Sequence, residues 1–170
     1  PDTCHWGFFD ANLPPALTIA SGDEVVINTV SGGPQNLPSG EFHIPPELLE
    51  IHAAGVPSFP GHILTGPVSV ADAMPGDTLR VDILEVSVRQ DWGFNYFGPL
   101  KGTLPLDFPQ VHHTIISLDT KRCIATMPWG LELPLAPFLG VMGVAPPQEW
   151  GRISTIEPRA HGGNIDNKEL

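Results

Sequence analysis

Apolar and polar positions alternate along most of this chain in short runs, cut by glycine, proline and aspartate before any helical stripe develops. Residues 16–19, 25–30, 68–70, 79–88 and 114–118 are rich in Val, Ile and Leu and bounded by turn residues, which predicts strands. Residues 45–52 give the best short helix, with proline in the first turn and Glu47 and Glu50 nearby. The run Leu17-Thr18-Ile19-Ala20-Ser21-Gly22-Asp23-Glu24-Val25-Val26-Ile27 has an echo in residues 68–81, where Pro75-Gly76-Asp77 stands in for the Gly-Asp turn. In both, an alternating strand enters a Gly-Asp turn and a second strand follows, which predicts two related hairpins. Gly-Asp turns are common in β proteins, so the echo also fits an ordinary pair of turns. The expected fold is mainly β, sandwich-like or barrel-like, with long loops and few short helices in a single β-rich domain over residues 1–170.

Two long connections interrupt the strands. Residues 31–40 read as a mobile loop, and residues 91–106 as an aromatic, glycine-containing excursion without periodicity. Connections of this length in a compact β domain are usually binding loops, lids or subunit arms. Trp92, Phe94, Tyr96 and Phe97 would wall a small substrate or pack against a neighbouring subunit. His112 and His113 precede a strand, where adjacent side chains point to opposite faces, so at most one of them faces a given site.

Charge narrows the partners. Eight Lys and Arg against 19 Asp and Glu give a net charge of −11, which repels phosphate backbones and argues against nucleic acid. Charged residues make up 16% of the 170 residues, below the typical figure of about 25%. Hydrophobic residues reach 41%, enough for a core. So little surface charge predicts an apolar face that meets another chain, in a homo-oligomer or within a longer protein. The most apolar stretch, residues 130–147, is broken by Glu132, Pro134 and Pro137, so no membrane span is expected. Pro1-Asp2-Thr3 starts no signal peptide in the sequence as given, and Cys4 and Cys123 read as free thiols, which together point to the cytoplasm.

Seven histidines are present, without His-Glu-x-x-His or Cys-x-x-Cys spacing, and there is no Gly-x-Ser-x-Gly elbow, dinucleotide fingerprint or Walker loop. Three segments combine imidazole, carboxylate and glycine in patterns that suit a metal or polar ligand: His5-Trp6-Gly7-Phe8-Phe9-Asp10, Gly61-His62 with Leu64-Thr65-Gly66-Pro67, and His161-Gly162-Gly163-Asn164-Ile165-Asp166. With Pro75-Gly76-Asp77, Gly140 and Gly143-Val144-Ala145-Pro146, these pieces resemble the acetamidase/formamidase family, in the family's order and over nearly the whole chain.

The resemblance implies metal-assisted hydrolysis of small amides such as formamide, acetamide or a lactam to carboxylate and ammonia, in a β-rich fold that oligomerises. It further implies that these residues are the amino-terminal portion of a longer or processed amidase. The carboxy-terminal remainder is then expected as a second polypeptide that adds ligands and completes the sheet. The expected ion is divalent, zinc first and calcium second, with Asp166 as a ligand and His62 and His5 as the next candidates. Asn164 and the Gly162 and Gly163 amides are candidates for the oxyanion, and His161 for substrate binding. Glu149, expected in apolar surroundings that raise a carboxyl pKa, is the candidate general base, although a solvated loop carboxylate fits the same position. A rival reading is a non-enzymatic β-sandwich module that binds a metal or a carbohydrate through the same loops.

Overall fold

The computed structural model describes residues 2–55 and 59–169. Pro1 and Leu170, which figure in the expectations about the chain ends, lie outside the described residues. In chain order the described strands are β1 (Cys4–Trp6), β2 (Phe8–Phe9), β3 (Leu17–Ile19), β4 (Ile63–Thr65), β5 (Val68–Val70) and β6 (Trp92–Phe97). They continue with β7 (His112–Asp119), β8 (Ile124–Thr126), β9 (Glu132–Pro134), β10 (Val141–Gly143), β11 (Ile153–Ser154) and β12 (Gly162–Asn164). Helix α1 spans Pro46–Ala53, and short 3-10 turns cover Pro34–Asn36 and Gln148–Trp150. The fold is mainly β, as the alternation predicts, and α1 falls one residue from its predicted place. No helix among the described residues is long and apolar enough to cross a membrane.

The chain divides into two compact units. The first comprises residues 1–32, 46–86 and 138–170, and the second residues 33–45 and 87–137.

The second unit is an antiparallel meander in the order β6-β7-β8-β9. β6 pairs with β7 along its whole length, from Trp92 opposite Ser117 to Phe97 opposite His112. The expectation of an aperiodic excursion over 91–106 is therefore corrected for residues 92–97. Trp92, Phe94 and Tyr96 alternate with Gly93 and Asn95, a period of two that suits a pleated strand. Trp92 is 1% exposed, and its indole Nε1 donates to the His43 carbonyl at 2.9 Å. His112 stacks on Phe97 and His113 leans on Phe94, so the two imidazoles do take opposite faces. The stretch expected as a mobile loop holds an anchored turn, in which Gly33 N donates to Asn36 Oδ1 at 3.0 Å.

The first unit is built from four two-stranded ladders. β1–β4, β2–β11 and β10–β12 are antiparallel, whereas β3–β5 is parallel, with Leu17 opposite Val68 and Ile19 opposite Val70. Helix α1 buries Leu48 and Ile51, three residues apart on one face, and Phe9, Ile63 and Ile153 are buried in the same unit.

The internal echo is real at its turns. Asp23 Oδ2 accepts from Ala20 N and Asp77 Oδ2 from Met74 N, each at 2.8 Å, and Gly22 and Gly76 both adopt positive φ. Its strands do not form hairpins. The leading strands pair with each other in parallel as β3 and β5, and residues 25–30 and 79–88 enter no described ladder. Alternation predicts that a segment is able to pair, and its partner must come from elsewhere in space.

Candidate functional site

The candidate residues all lie in the first unit. His5 sits on β1, opposite Leu64 of β4, and His62 immediately precedes β4. Between β1 and β2 the chain turns at Gly7, with φ of 90°. Gly7 N donates to the His62 carbonyl at 2.9 Å, and the Gly7 carbonyl accepts from Thr155 N at 3.1 Å. A Cβ at residue 7 would run into the Phe59 carbonyl oxygen, and one at Gly61 into Thr155 Oγ1, so both glycines are dictated by close approach.

Thr155 is fully buried and organises the histidine. Its Oγ1 accepts from His62 N at 2.8 Å, and its carbonyl lies 3.1 Å from His62 Nδ1. Nδ1 also lies 3.3 Å from Thr155 Oγ1. Donation from Nδ1 to the carbonyl is the arrangement that leaves Nε2 a lone pair, the tautomer that a proton acceptor or a metal ligand requires. On β1, the half-buried His5 ring packs on Phe8, with ring centroids 5.5 Å apart. Burial pulls the His5 pKa below the ordinary histidine value, while a hydrogen bond to the Gly66 backbone and the Asp10 charge pull the other way.

The second cluster forms where β12 pairs with β10. His161 is 4% exposed, its ring meets Phe9 edge-on at 4.7 Å, and neither ring nitrogen has a partner among the described residues. Burial lowers its pKa, with Arg159 adding to the shift, so the ring is neutral at neutral pH. Gly162 and Gly163 adopt φ of 88° and 105°. A Cβ at Gly163 would come 3.1 Å from His161 Nε2, so the glycine leaves room beside that imidazole. Asn164, with its amide nitrogen turned to Asp166, donates to both carboxylate oxygens at 3.1 and 3.2 Å; turned the other way it reaches only the Ile156 carbonyl, at 3.4 Å. Asp166 adopts φ of 52°, its N donates to the Gly140 carbonyl at 3.0 Å, and a Cβ at Gly140 would lie 2.6 Å from Oδ1.

β2 joins the two clusters. Phe9 pairs with Ile153 of β11, two residues before Thr155, and carries the ring that meets His161. Asp10 follows, bound by Asn12 N at 2.8 Å and by Arg152 Nε at 3.3 Å. The Asn12 amide, ahead of its side chain and Arg152, holds the Asp10 carboxyl below the usual range.

Two expectations need correction. Glu149 stands exposed on the turn Gln148–Trp150, so within this chain it lacks the apolar enclosure expected of a raised carboxyl. The Gly162 amide already donates to the Arg159 carbonyl at 3.0 Å, which takes it out of an oxyanion role. As for the ion, no three His, Cys, Asp or Glu side chains converge to hold a metal among the described residues. The residues present therefore do not hold it by themselves, and no step below runs through it. Neither Thr155 nor Phe9 carries a sequence signal for its role. Thr155 lies in no motif and acquires its role through a contact 93 residues away, whereas Phe9 lay within the His5–Asp10 segment without a role of its own. In the second unit, a cleft of about 610 Å³ is lined by Asn95, Phe97, Asp107, Phe108, His112 and Trp129.

The acetamidase/formamidase family model matches residues 4–153. A formamidase from Methylophilus methylotrophus is 28% identical, over 64% of this chain and 39% of its own length. An acetamidase from Bacillus halodurans superposes with a TM-score of 0.74 at 28% identity, over 96% of this chain and 51% of the other. A predicted acetamidase/formamidase from Thermoanaerobacter tengcongensis gives 0.72 at 24% identity, over 98% and 50%, and so speaks for the fold alone. The chain spans about half the length of these solved structures and less of the curated formamidase. With 4–153 of its 170 residues matched, the chain belongs to the acetamidase/formamidase family.

Proposed function

We propose that this chain carries part of a hydrolase for small amides, of the size of formamide, acetamide or a small lactam. The family match over residues 4–153 is the observation that supports this reading, and the two histidine clusters supply groups suited to it. In the reaction, water adds to the amide carbonyl carbon, the C–N bond breaks, and the proton lost by water passes to the leaving nitrogen. The products are carboxylate and ammonia from formamide or acetamide, and a ring-opened amino acid from a lactam. His62 Nε2, left a lone pair when Nδ1 donates to the Thr155 carbonyl, is the proton acceptor of this proposal. The neutral His161 orients substrate from beside the Gly162-Gly163 turn, and the Asn164–Asp166 pair presents amide and carboxylate to it. Glu149 would act only if a further polypeptide enclosed it.

The divalent ion, zinc first and calcium second, belongs to the same proposal as a property of the completed enzyme, because ligands from outside the described residues must join His62, His5 or Asp166. So do a second polypeptide equivalent to the carboxy-terminal remainder, a homo-oligomer and a cytoplasmic location. The binding-module alternative is not favoured, since the relatives matched are amide hydrolases by name. Ammonia release from formamide and acetamide, and ring opening of a lactam to its amino acid, by the completed protein test the proposal, with metal content measured on the same sample. Hydrolysis well above the uncatalysed rate is expected with at least one of them. Its absence with all three, in folded and metal-supplemented protein, would contradict it.

A further inference from the structure

The amide reading leaves the cleft of about 610 Å³ in the second unit unused. Its floor is one face of the β6–β7 ladder. Side chains two apart on a strand share a face, so Asn95 and Phe97 of β6 lie beside their partners Thr114 and His112 of β7. Phe97 anchors the aromatic part of that floor, with its ring stacked on His112 at 5.3 Å and edge-on to Phe108 at 5.6 Å. Two tied turns make the walls. Asp107 N and Phe108 N both donate to the Leu104 carbonyl, at 3.2 and 3.1 Å. The turn that carries Trp129 is closed by Met127 N on the Leu131 carbonyl and by Gly130 N on the Met127 carbonyl, each at 2.9 Å. The rings themselves stay open to solvent, Trp129 at 69% and Phe108 at 51% exposure. Aromatic faces held around a concavity by fixed backbone make a preformed site.

We propose that this cleft binds an aromatic organic cation, a ring that carries an alkylated ammonium group. Size separates this ligand from the small amides. Formamide or acetamide would leave most of the space empty, whereas the volume falls within the roughly 300–1,000 Å³ of sites that take ring-sized molecules. Charge selects the sign. Among the described residues that line the cleft, Asp107 supplies a carboxylate and none is Lys or Arg. The net charge of −11 draws cations towards the surface, and the faces of Phe97, Phe108 and Trp129 present the negative side of their quadrupoles. β6 shows the same chemistry on its other face. Tyr96 alternates away from Asn95 and Phe97, and Lys101 Nζ lies over its ring, 5.8 Å from the centroid. That lysine is engaged there and leaves the Asp107 side of the cleft uncompensated. An anion would meet repulsion from Asp107, and a neutral ring would gain stacking but neither charge term. The proposal stands on the second unit alone and is independent of amide hydrolysis.

The test titrates the chain with benzyltrimethylammonium, benzyl alcohol and benzoate, which share a ring and differ in charge. Binding is read by calorimetry and by NMR of the Trp129 indole N–H and the His112 ring. The cation should bind with a Kd of about 1 mM or tighter. It should bind about fivefold or more tightly than benzyl alcohol, with benzoate weakest. Trp129→Ala should weaken the cation about fivefold, and Trp129→Phe, which keeps an aromatic face, should restore most of that loss. Asp107→Asn should weaken the cation by a factor of about two to five and leave benzyl alcohol unchanged. Both residues are exposed on turns, so the three variants should melt with the wild type. If Trp129→Ala melts early, Trp129→Phe and Asp107→Asn carry the comparison. Equal binding of the cation and benzyl alcohol, or tighter binding of benzoate, would overturn the choice of ligand. Absence of cation binding, or binding indifferent to Trp129 and Asp107, would overturn the site.

Discussion

The two units solve the same problem with opposite resources. In the second unit each strand of the meander pairs with its neighbour in sequence, so local alternation and short turns are enough to build it. In the first unit the ladders join distant segments: His5 meets Leu64, Phe9 meets Ile153, and Met142 meets Gly163. Closing such pairings costs chain entropy before any contact is gained, and each ladder is only two or three residues long. Close approaches at four glycines tie them together: Gly7 to the Phe59 carbonyl, Gly61 to the Thr155 hydroxyl, Gly140 to the Asp166 carboxylate and Gly143 to the His161 carbonyl. The candidate chemistry sits in this second kind of architecture. Self-sufficient strands make a scaffold, and long-range crossings bring His62, His161 and Asp166 onto adjoining ladders.

Substitutions should expose that contrast, and the largest effect belongs to the meander. Trp92→Ala removes its best-buried side chain and should cost about 3–5 kcal/mol in denaturant unfolding. A loss below 1 kcal/mol would show that the meander is not a packed core. Gly7→Ala comes next, combining about 1–3 kcal/mol for a left-handed backbone with about 1–3 kcal/mol for overpacking against Phe59. Gly22→Ala shares the positive φ but meets open space, so only the first cost applies. Equal melting shifts for the two would break the claim that close approach at Gly7 holds the first unit together.

The smallest effect concerns pH. Burial depresses the folded pKa of His161 below its ordinary value of 6.5, so as pH falls the unfolded chain takes up the proton first. The stability contributed by the neutral ring is complete above about 6.5 and is lost as pH falls from there through the folded value. His161→Phe should flatten that part of the stability profile, though not completely, because His5 is depressed in the same direction. An unchanged slope between pH 6.5 and 5 would mean that His161 is not a buried neutral imidazole.

Much of the fold was legible where structure is local. The helix of α1, the strands β3, β5 and β7, and both Gly-Asp turns follow from periodicity and turn chemistry. The strand β6 was legible too, in the alternation of Trp92, Phe94 and Tyr96, but its Gly93 and Asn95 read as loop residues. Residues 25–30 and 79–88 show the limit, since alternation says that they can pair and not with what. The candidate site was legible as motifs, whereas the contacts of His62 Nδ1 with Thr155, the isolation of His161 and the exposure of Glu149 depend on packing that no spacing in the sequence records.

The central claim is that the chemistry belongs to the first unit, with His62 as its proton acceptor. The direct measurement is ammonia release from the preferred amide by the completed protein in three forms: wild type, His62→Gln and His112→Gln. His62→Gln should lower turnover by roughly 10²–10⁴-fold with folding intact, and His112→Gln, on the cleft of the second unit, should leave it near the wild-type value. Wild-type turnover in folded His62→Gln, or a loss confined to His112→Gln, would contradict the account.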